Sequence, residues 1–278
     1  MTALRRIFLV ADDYGISPAV SAAIRDLIAR GRLNATSVMV GTPSFDHSEA
    51  VSLSMLNAAG PRVAIGLHVT LTAPFKPMSG DYRPLKNNAF LRLEDTGGSA
   101  MLRKLDPASL AREVSAQFAA FAQAFGHPPD YVDGHQHMHL FPQIRDAVLN
   151  ATKDHAPNAW IRQCGRVTPL HKRMSDPKGM FLDWLSREFR RRAAKLGIKT
   201  NPAFAGTYDF APRSDFAELF PSFLVNMSEG GVVMCHPGHV DAELRSLDPV
   251  TTAREREYAY LAGELFPKHL QQHGLTLR

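Results

Sequence analysis

The chain of 278 residues holds only two cysteines, Cys164 and Cys235. That excludes a disulfide framework and points to a reducing compartment, the cytoplasm. No apolar run approaches the roughly 18 residues of a membrane span. The N-terminal apolar run, Ile7 to Ala11, falls short of the roughly 7–15 residues of a signal peptide and is stopped by Asp12-Asp13, so a first buried strand is expected there. Internal repeats and low-complexity segments are absent. So are zinc-finger spacings and RNA-binding aromatic signatures, and the modest net charge of +5 then gives no reason to expect nucleic acid as a partner. The local zinc signature H-E-x-x-H is missing too. What remains, with 45% apolar and 21% charged residues, is an ordinary soluble globular composition, long enough for one large α/β domain or two smaller ones.

Strand and helix signals alternate along the chain. Arg6 to Ala11 is a short apolar run ending in Asp12-Asp13-Tyr14-Gly15. Ser17-Pro18 then supplies an N-cap and a first-turn proline, and Val20, Ile24, Leu27 and Ile28 follow at helical spacing up to Gly31. The same reading predicts strands at Thr36 to Val40, Val63 to Leu71, 131–134 and Trp160 to Gln163, and a last one starting at Gly231. It predicts helices at 46–59, from Pro107 to Gly126, from Phe141 onward, at 176–197 and at about 250–271. In the Pro107 helix, Leu110, Val114, Phe118, Phe121 and Phe125 form a core-facing stripe.

Two stretches break this rhythm. Residues 72–106 are rich in turn formers and without clear period, yet Phe75, Tyr82 and Phe90 make them too aromatic for disorder. They read as a loop insertion that covers substrate, makes a homodimer contact, or is inert. The stretch 178–196 sets Phe181, Leu182, Leu185 and Phe189 against Arg187, Arg190, Arg191, Arg192 and Lys195. It reads as a peripheral helix packed on the core with a solvated basic face, or as a peripheral contact with an anionic membrane.

The densest chemistry lies in Tyr131-Val132-Asp133-Gly134-His135-Gln136-His137-Met138-His139, where one carboxylate and three imidazoles fall within seven residues. In extended backbone the three histidines would share a face. Asp12-Asp13, His68, Asp133 with His135, and His236 each stand at or just beyond the C-terminal end of a predicted strand. Alternating strands and helices imply a parallel sheet or barrel, and active sites of such folds form at the carboxyl ends of the strands. These residues are therefore expected to converge. An Asp/His/His set suits a divalent cation with open positions for water and substrate. Adjacent carboxylates allow one to bind the metal while the other works as a base, and His236 is placed to protonate a leaving group.

Taken singly, His68 or His236 would read as structural; the four strand ends together favour function. His137 and His139 read either as further ligands or, one or both, as hydrogen-bonding supports of the ligands. Adjacent aspartates also mark phosphoacceptor receiver domains, but those are about half this length and have no use for the histidine stretch. Cys235 reads as a small buried hydrophobe, and His47, His127, His155, His171 and His273 as structural.

Ala11-Asp12-Asp13-Tyr14-Gly15, Gly66-Leu67-His68-Val69-Thr70-Leu71, Asp133-Gly134-His135-Gln136-His137-Met138-His139-Leu140-Phe141-Pro142 and His236-Pro237-Gly238 together resemble the YdjC-like (ChbG-type) carbohydrate deacetylases. The motifs run in the family's order over most of the chain. The resemblance implies a single-domain deformed (β/α) barrel, like a TIM barrel, that removes acetyl groups from N-acetylated sugars with one divalent cation, magnesium or zinc. By motif position it implies Asp13, His68 and His135 as metal ligands, Asp12 as general base and His236 as general acid. Asp133, His137, His139 and Arg162 become supporting or substrate-facing residues. The segment Leu71 to Leu85 with Asp133-Gly134-His135-Gln136-His137 is similar to the hopanoid-biosynthesis-associated HpnK branch, which implies an N-acetylglucosaminyl glycolipid as substrate. Gly134 and Gln136 depart from the Asp-Ser-His-His-His form of the chitooligosaccharide enzymes. Two other readings stay open: a barrel phosphoesterase with a second metal roughly 3.5–4 Å from the first, held by His137 and His139, and a non-catalytic sugar- or lipid-binding barrel. Metal stoichiometry separates the former, acetate release the latter.

Overall fold

A computed structural model describes residues 3–166, 177–211 and 214–277. Its centre is β2 (Phe8–Tyr14), whose side chains are buried or nearly so on both faces. An apolar run without polar alternation is what a central parallel strand requires, because helices cover both sides. Around it stand β3 (Ala35–Val38), β4 (Ala64–Val69), β5 (Tyr131–Gly134), β6 (Trp160–Ile161), β7 (Phe204–Ala205) and β8 (Val232–Cys235). The seven strands run in the order β6-β5-β4-β3-β2-β8-β7, and every pairing is parallel. The two edges meet through isolated parallel bridges, Ile161 with Thr200 and Arg166 with Phe204. The sheet thus curls into the expected deformed barrel, closed weakly at that seam. A short pair of strands, β1 (Arg5–Arg6) and β9 (Leu275–Thr276), ties the two ends of the chain together.

Parallel neighbours need crossovers, and helices supply them. They are α1 (Pro18–Ala29), α2 (His47–Ser54), α3 (Leu93–Met101), α4 (Pro107–Phe125), α5 (Ile144–His155), α6 (Pro177–Lys195), α7 (Phe216–Leu224), α8 (Ala242–Leu247), α9 (Thr252–Ala262) and α10 (Leu265–Gln272). The local signals operate as read. The Ser17 hydroxyl accepts from the Val20 amide, Asp106 accepts from the amides of Ala108 and Ser109, and Gly126 ends α4 at φ 75°. None of the described helices is long and apolar enough to cross a membrane.

Three expectations change. The turn-rich insertion contains a helix, α3, hidden by Thr96-Gly97-Gly98, which lower intrinsic helix propensity. Tertiary packing supplies what propensity lacks: a Cβ on Gly97 would stand 3.1 Å from the Phe141 ring. The remainder of the insertion is anchored, with Phe75, Tyr82 and Phe90 buried and the buried Glu113 carboxylate accepting from the amides of Met78 and Ser79. The C-terminal helix is two helices broken at Gly263. The histidine-rich stretch is not extended. His135–Leu140 forms a tight 3-10 turn with Gln136 and His137 at φ 53° and 59°, so the three imidazoles fan apart.

One glycine shows how tightly the strands are fitted. A Cβ on Gly66 would stand 2.4 Å from the Tyr131 ring, which is stacked on Trp160 at 4.4 Å and tied through its hydroxyl to Ser37 at 2.9 Å. With no room for the ring to yield, Gly66→Ala is expected to destabilise the fold by about 1–3 kcal/mol, read as a lowered melting temperature.

Candidate metal centre

The two aspartates open the site. In a regular strand Asp12 and Asp13 would point to opposite faces. Here the β2–β3 register slips, so that Ala11 pairs with Thr36 and Tyr14 with Val38, and Asp13 adopts φ 68°. This bulge brings both carboxylates to one end of the barrel. His68 arrives from β4 and Asp133 from the register position beside it on β5. His135 follows directly after β5, and Arg162 and His236 follow β6 and β8.

Asp13, His68 and His135 each present a ligand atom to a common point, all within 4.8 Å of one another, and all three are buried. Asp13 Oδ1 is 3.3 Å from His68 Nε2 and 3.0 Å from His135 Nδ1. His68 turns its other nitrogen to Asp133, 2.5 Å away. A carboxylate behind a metal-facing imidazole is the usual device for fixing ring orientation. Burial pushes the His68 imidazole down, but Asp133 and Asp12 outweigh it and raise it to about 10. Burial also raises the Asp133 carboxyl, and the Arg162 and His68 charges overcome that and hold it at about 2.

Arg162 is the hub of the second layer. Its fully buried guanidinium donates to both Asp12 oxygens, at 2.7 and 2.5 Å, and also pairs with Asp133. His139 holds its backbone, with Nε2 2.9 Å from the Arg162 carbonyl. Burial depresses His139 to about 4, so it is neutral and donates. A Cβ on Gly134 would stand 3.0 Å from His139 Nδ1, which accounts for glycine at that place in the motif. His137 instead faces Cys164 Sγ at 3.5 Å and the edge of Phe204. Neither His137 nor His139 belongs to a metal-ligating group among the described residues. Asp12, His68 and Asp133 form a second such group, but the Arg162 cation already occupies it. A second metal would have to displace a buried, doubly paired guanidinium, which disfavours the two-metal phosphoesterase.

His236 Nε2 lies 4.0 Å from Asp12 Oδ2, and its ring packs against Phe210. Its amide donates to buried Glu257 at 2.5 Å, and the Tyr208 hydroxyl donates to the same carboxylate at 2.6 Å. Cys235, next to it, is buried in β8, and burial pushes its thiol well up, as expected of a structural residue. His171 lies outside the described residues.

Sequence reasoning missed Arg254, Asp248, Glu257, Tyr208 and Ser37. Arg254 Nη2 donates to Asp13 Oδ2 at 2.6 Å and to Asp248 at 2.9 Å. Burial raises the Asp13 carboxyl, yet Arg254 and His135 outweigh it and hold it well below the usual carboxylate range. A signal was present: Arg254, Glu257 and Leu261 share one face of α9 at three- and four-residue spacing, and all three are fully buried. Charged residues on a buried stripe need partners.

The site floors a cavity of about 560 Å³. Asp12, Asp13, His135 and His236 face it from the strand ends. Leu93 and Met101 of α3, Phe141, Phe181 and Leu182 of α6, and Phe210 make its wall. Part of the 72–106 insertion therefore lines the cavity.

A parallel β/α barrel with carboxylates and imidazoles converging on its strand ends defines a class: a barrel protein with a candidate divalent-metal centre. Within that class the chain belongs to the YdjC-like protein family, whose model matches residues 6–272. It is 24% identical over 241 residues to a chitooligosaccharide deacetylase of Klebsiella pneumoniae, covering 86% of this chain and 84% of that one. It is 24% identical over 280 residues to a carbohydrate deacetylase of Clostridium beijerinckii, covering 98% and 97%. A solved structure from Enterococcus faecalis, described as a putative cellobiose-phosphate cleavage protein, shares the fold with a TM-score of 0.78 at 20% identity, covering 99% of this chain and 97% of that one.

Proposed function

We propose that the protein is a metal-dependent deacetylase that hydrolyses the N-acetyl group of an N-acetylhexosamine, releasing acetate and the free amine. The observation that carries this reading is the Asp13–His68–His135 group set beside Asp12 and His236 on the floor of one cavity. One carboxylate oxygen and two imidazole nitrogens, backed by Asp133 and Arg254, suit one divalent cation, magnesium or zinc. The chemistry such a cation supplies is acidification of water and polarisation of a carbonyl oxygen.

The chain's own groups divide the proton work. Asp12, oriented by two hydrogen bonds from Arg162, takes a proton from the water that attacks the acetyl carbonyl carbon. His236, held through its amide by Glu257, gives a proton to the departing nitrogen as the C–N bond breaks. Asp133 orients His68, His139 holds the Arg162 backbone, and His137 faces substrate from the cavity wall. Arg254 holds Asp13 ionised and in place. Arg254→Gln is expected to weaken divalent-cation binding about 10- to 100-fold, measured by calorimetric titration of the metal-free protein.

The substrate we favour is lipid-linked, an N-acetylglucosaminyl hopanoid, handled in the cytoplasm at the inner face of the membrane. Support comes from the apolar side chains in the cavity wall, Leu93, Met101, Phe181 and Leu182, which suit the lipid part of such a substrate. The discriminating experiment compares acetate release from lipid-linked and free N-acetylglucosamine substrates. Faster turnover of the lipid-linked one is expected. Equal rates would return the reading to free chito-oligosaccharides, after the relatives' names. No acetate from either would remove the deacetylase.

A further inference from the structure

We propose that the adjoining ends of α3 and α6 form a docking surface for an anionic phospholipid bilayer, which presents the mouth of the cavity to the membrane. The proposal rests on the lipid-linked reading of the substrate and gives that reading a location on the molecule. Its basis is a concentration of exposed apolar side chains at the cavity rim. Met101 is 37% and Leu102 66% exposed at the end of α3, and Met180, Phe181 and Trp184 are 40%, 39% and 55% exposed on α6. Met101 and Phe181 also line the cavity, so the patch is continuous with the site. Phe141 joins the two helices, seated against Gly97 on one side and 5.8 Å from the Phe181 ring on the other. Phe181 in turn stacks on Trp184 at 5.9 Å.

Charge identifies the occupant. Arg103 and Lys104 follow Leu102 directly and are exposed. Along α6, Trp184, Arg187, Arg191 and Lys195 stand three and four residues apart on one exposed stripe, with Arg190 also exposed. The exposed face therefore runs from apolar to cationic. The acids nearby are engaged, Asp183 with Arg166 and Glu188 with Arg191 and Arg192. Glu94, which lines the cavity, and Asp95, paired with Arg92, lie at the opposite end of α3 from Met101 and Leu102. An indole and a phenyl ring beside a row of arginines match an interface where apolar groups enter the acyl boundary and cations meet lipid phosphates. A two-fold contact with a second copy through this face would bring two sets of exposed arginines into one interface, which like-charge repulsion opposes.

The test uses the full chain with vesicles of phosphatidylcholine alone and of phosphatidylcholine mixed with phosphatidylglycerol. Co-sedimentation is expected with the mixed vesicles only, weakening as salt is raised. Trp184 emission should shift blue on binding, while Trp160, stacked on Tyr131, stays constant. Trp184→Glu, and separately Arg187→Glu with Arg190→Glu, should each lower vesicle binding by about tenfold or more, with acetate release from a soluble N-acetyl sugar unchanged. The proposal is overturned by absence of binding to the mixed vesicles, or by equal binding of wild type and Trp184→Glu. It is also overturned if sedimentation velocity shows a dimer that Trp184→Glu dissolves, which would assign the face to a second copy. Vesicle binding without acetate release from any N-acetyl sugar would sink the deacetylase and leave the docking surface standing.

Discussion

Asp12→Asn is expected to lower acetate release by about 10³-fold while leaving divalent-cation affinity nearly unchanged. Asparagine keeps the shape of the side chain but cannot accept the proton of the attacking water. The metal-ligating group does not include Asp12 in the arrangement formed by Asp13, His68 and His135. Loss of rate with retained binding therefore separates a base from a ligand. The informative measurement pairs single-turnover acetate release with calorimetric metal titration on the same preparation. Unchanged release would remove Asp12 as base. Loss of both properties would mean that the carboxylate matters chiefly for holding the site together.

Arg162→Met should be the most destabilising single change in the site. The guanidinium is fully buried and pairs with Asp12 and Asp133 together. Methionine fills much of the same volume, so packing is not the main loss. The loss is electrostatic: two buried carboxylates remain without their shared cation. Breaking a buried pair in this way costs about 3–5 kcal/mol, which for a chain of this size lowers the melting temperature on the order of 10 °C. Thermal unfolding monitored by circular dichroism reads it directly. The companion variant Arg162→Met with Asp12→Asn and Asp133→Asn removes the stranded charges and should recover much of the stability without activity. If the single variant melts with wild type, the ion network is not what holds the strand ends in register.

Much of the fold and of the candidate site was legible in the chain. The spacing of apolar runs placed six of the seven barrel strands, because each must be apolar where helices cover both faces. The missed one, β7, is two residues long and has no periodicity to read. Ser17-Pro18, Asp106-Pro107 and Gly126 marked helix ends through their capping chemistry. The insertion helix α3 escaped because its glycines give no helical signal, and only the fit against Phe141 makes it form. In the site, Asp13, His68, His135 and His236 were visible as polar residues ending apolar runs. Arg254 and Glu257 were not singled out, because a charge on a helix reads as solvated until burial shows otherwise.

By itself the sequence determined which strand ends carry carboxylates and imidazoles, and hence that a site could form at one end of a parallel barrel. Local signals of that kind depend on side-chain pattern and capping, which neighbouring residues decide. Only the tertiary structure decided how those groups divide. A one-residue bulge in β2 turned Asp13 toward His68 and His135 while Asp12 stayed with Arg162. The left-handed turn at Gln136 and His137 separated three histidines that alternate in the chain. Backbone register and the pairing of buried charges depend on contacts between residues more than a hundred positions apart, such as Asp12 with Arg162 and Asp13 with Arg254, and no local pattern records them.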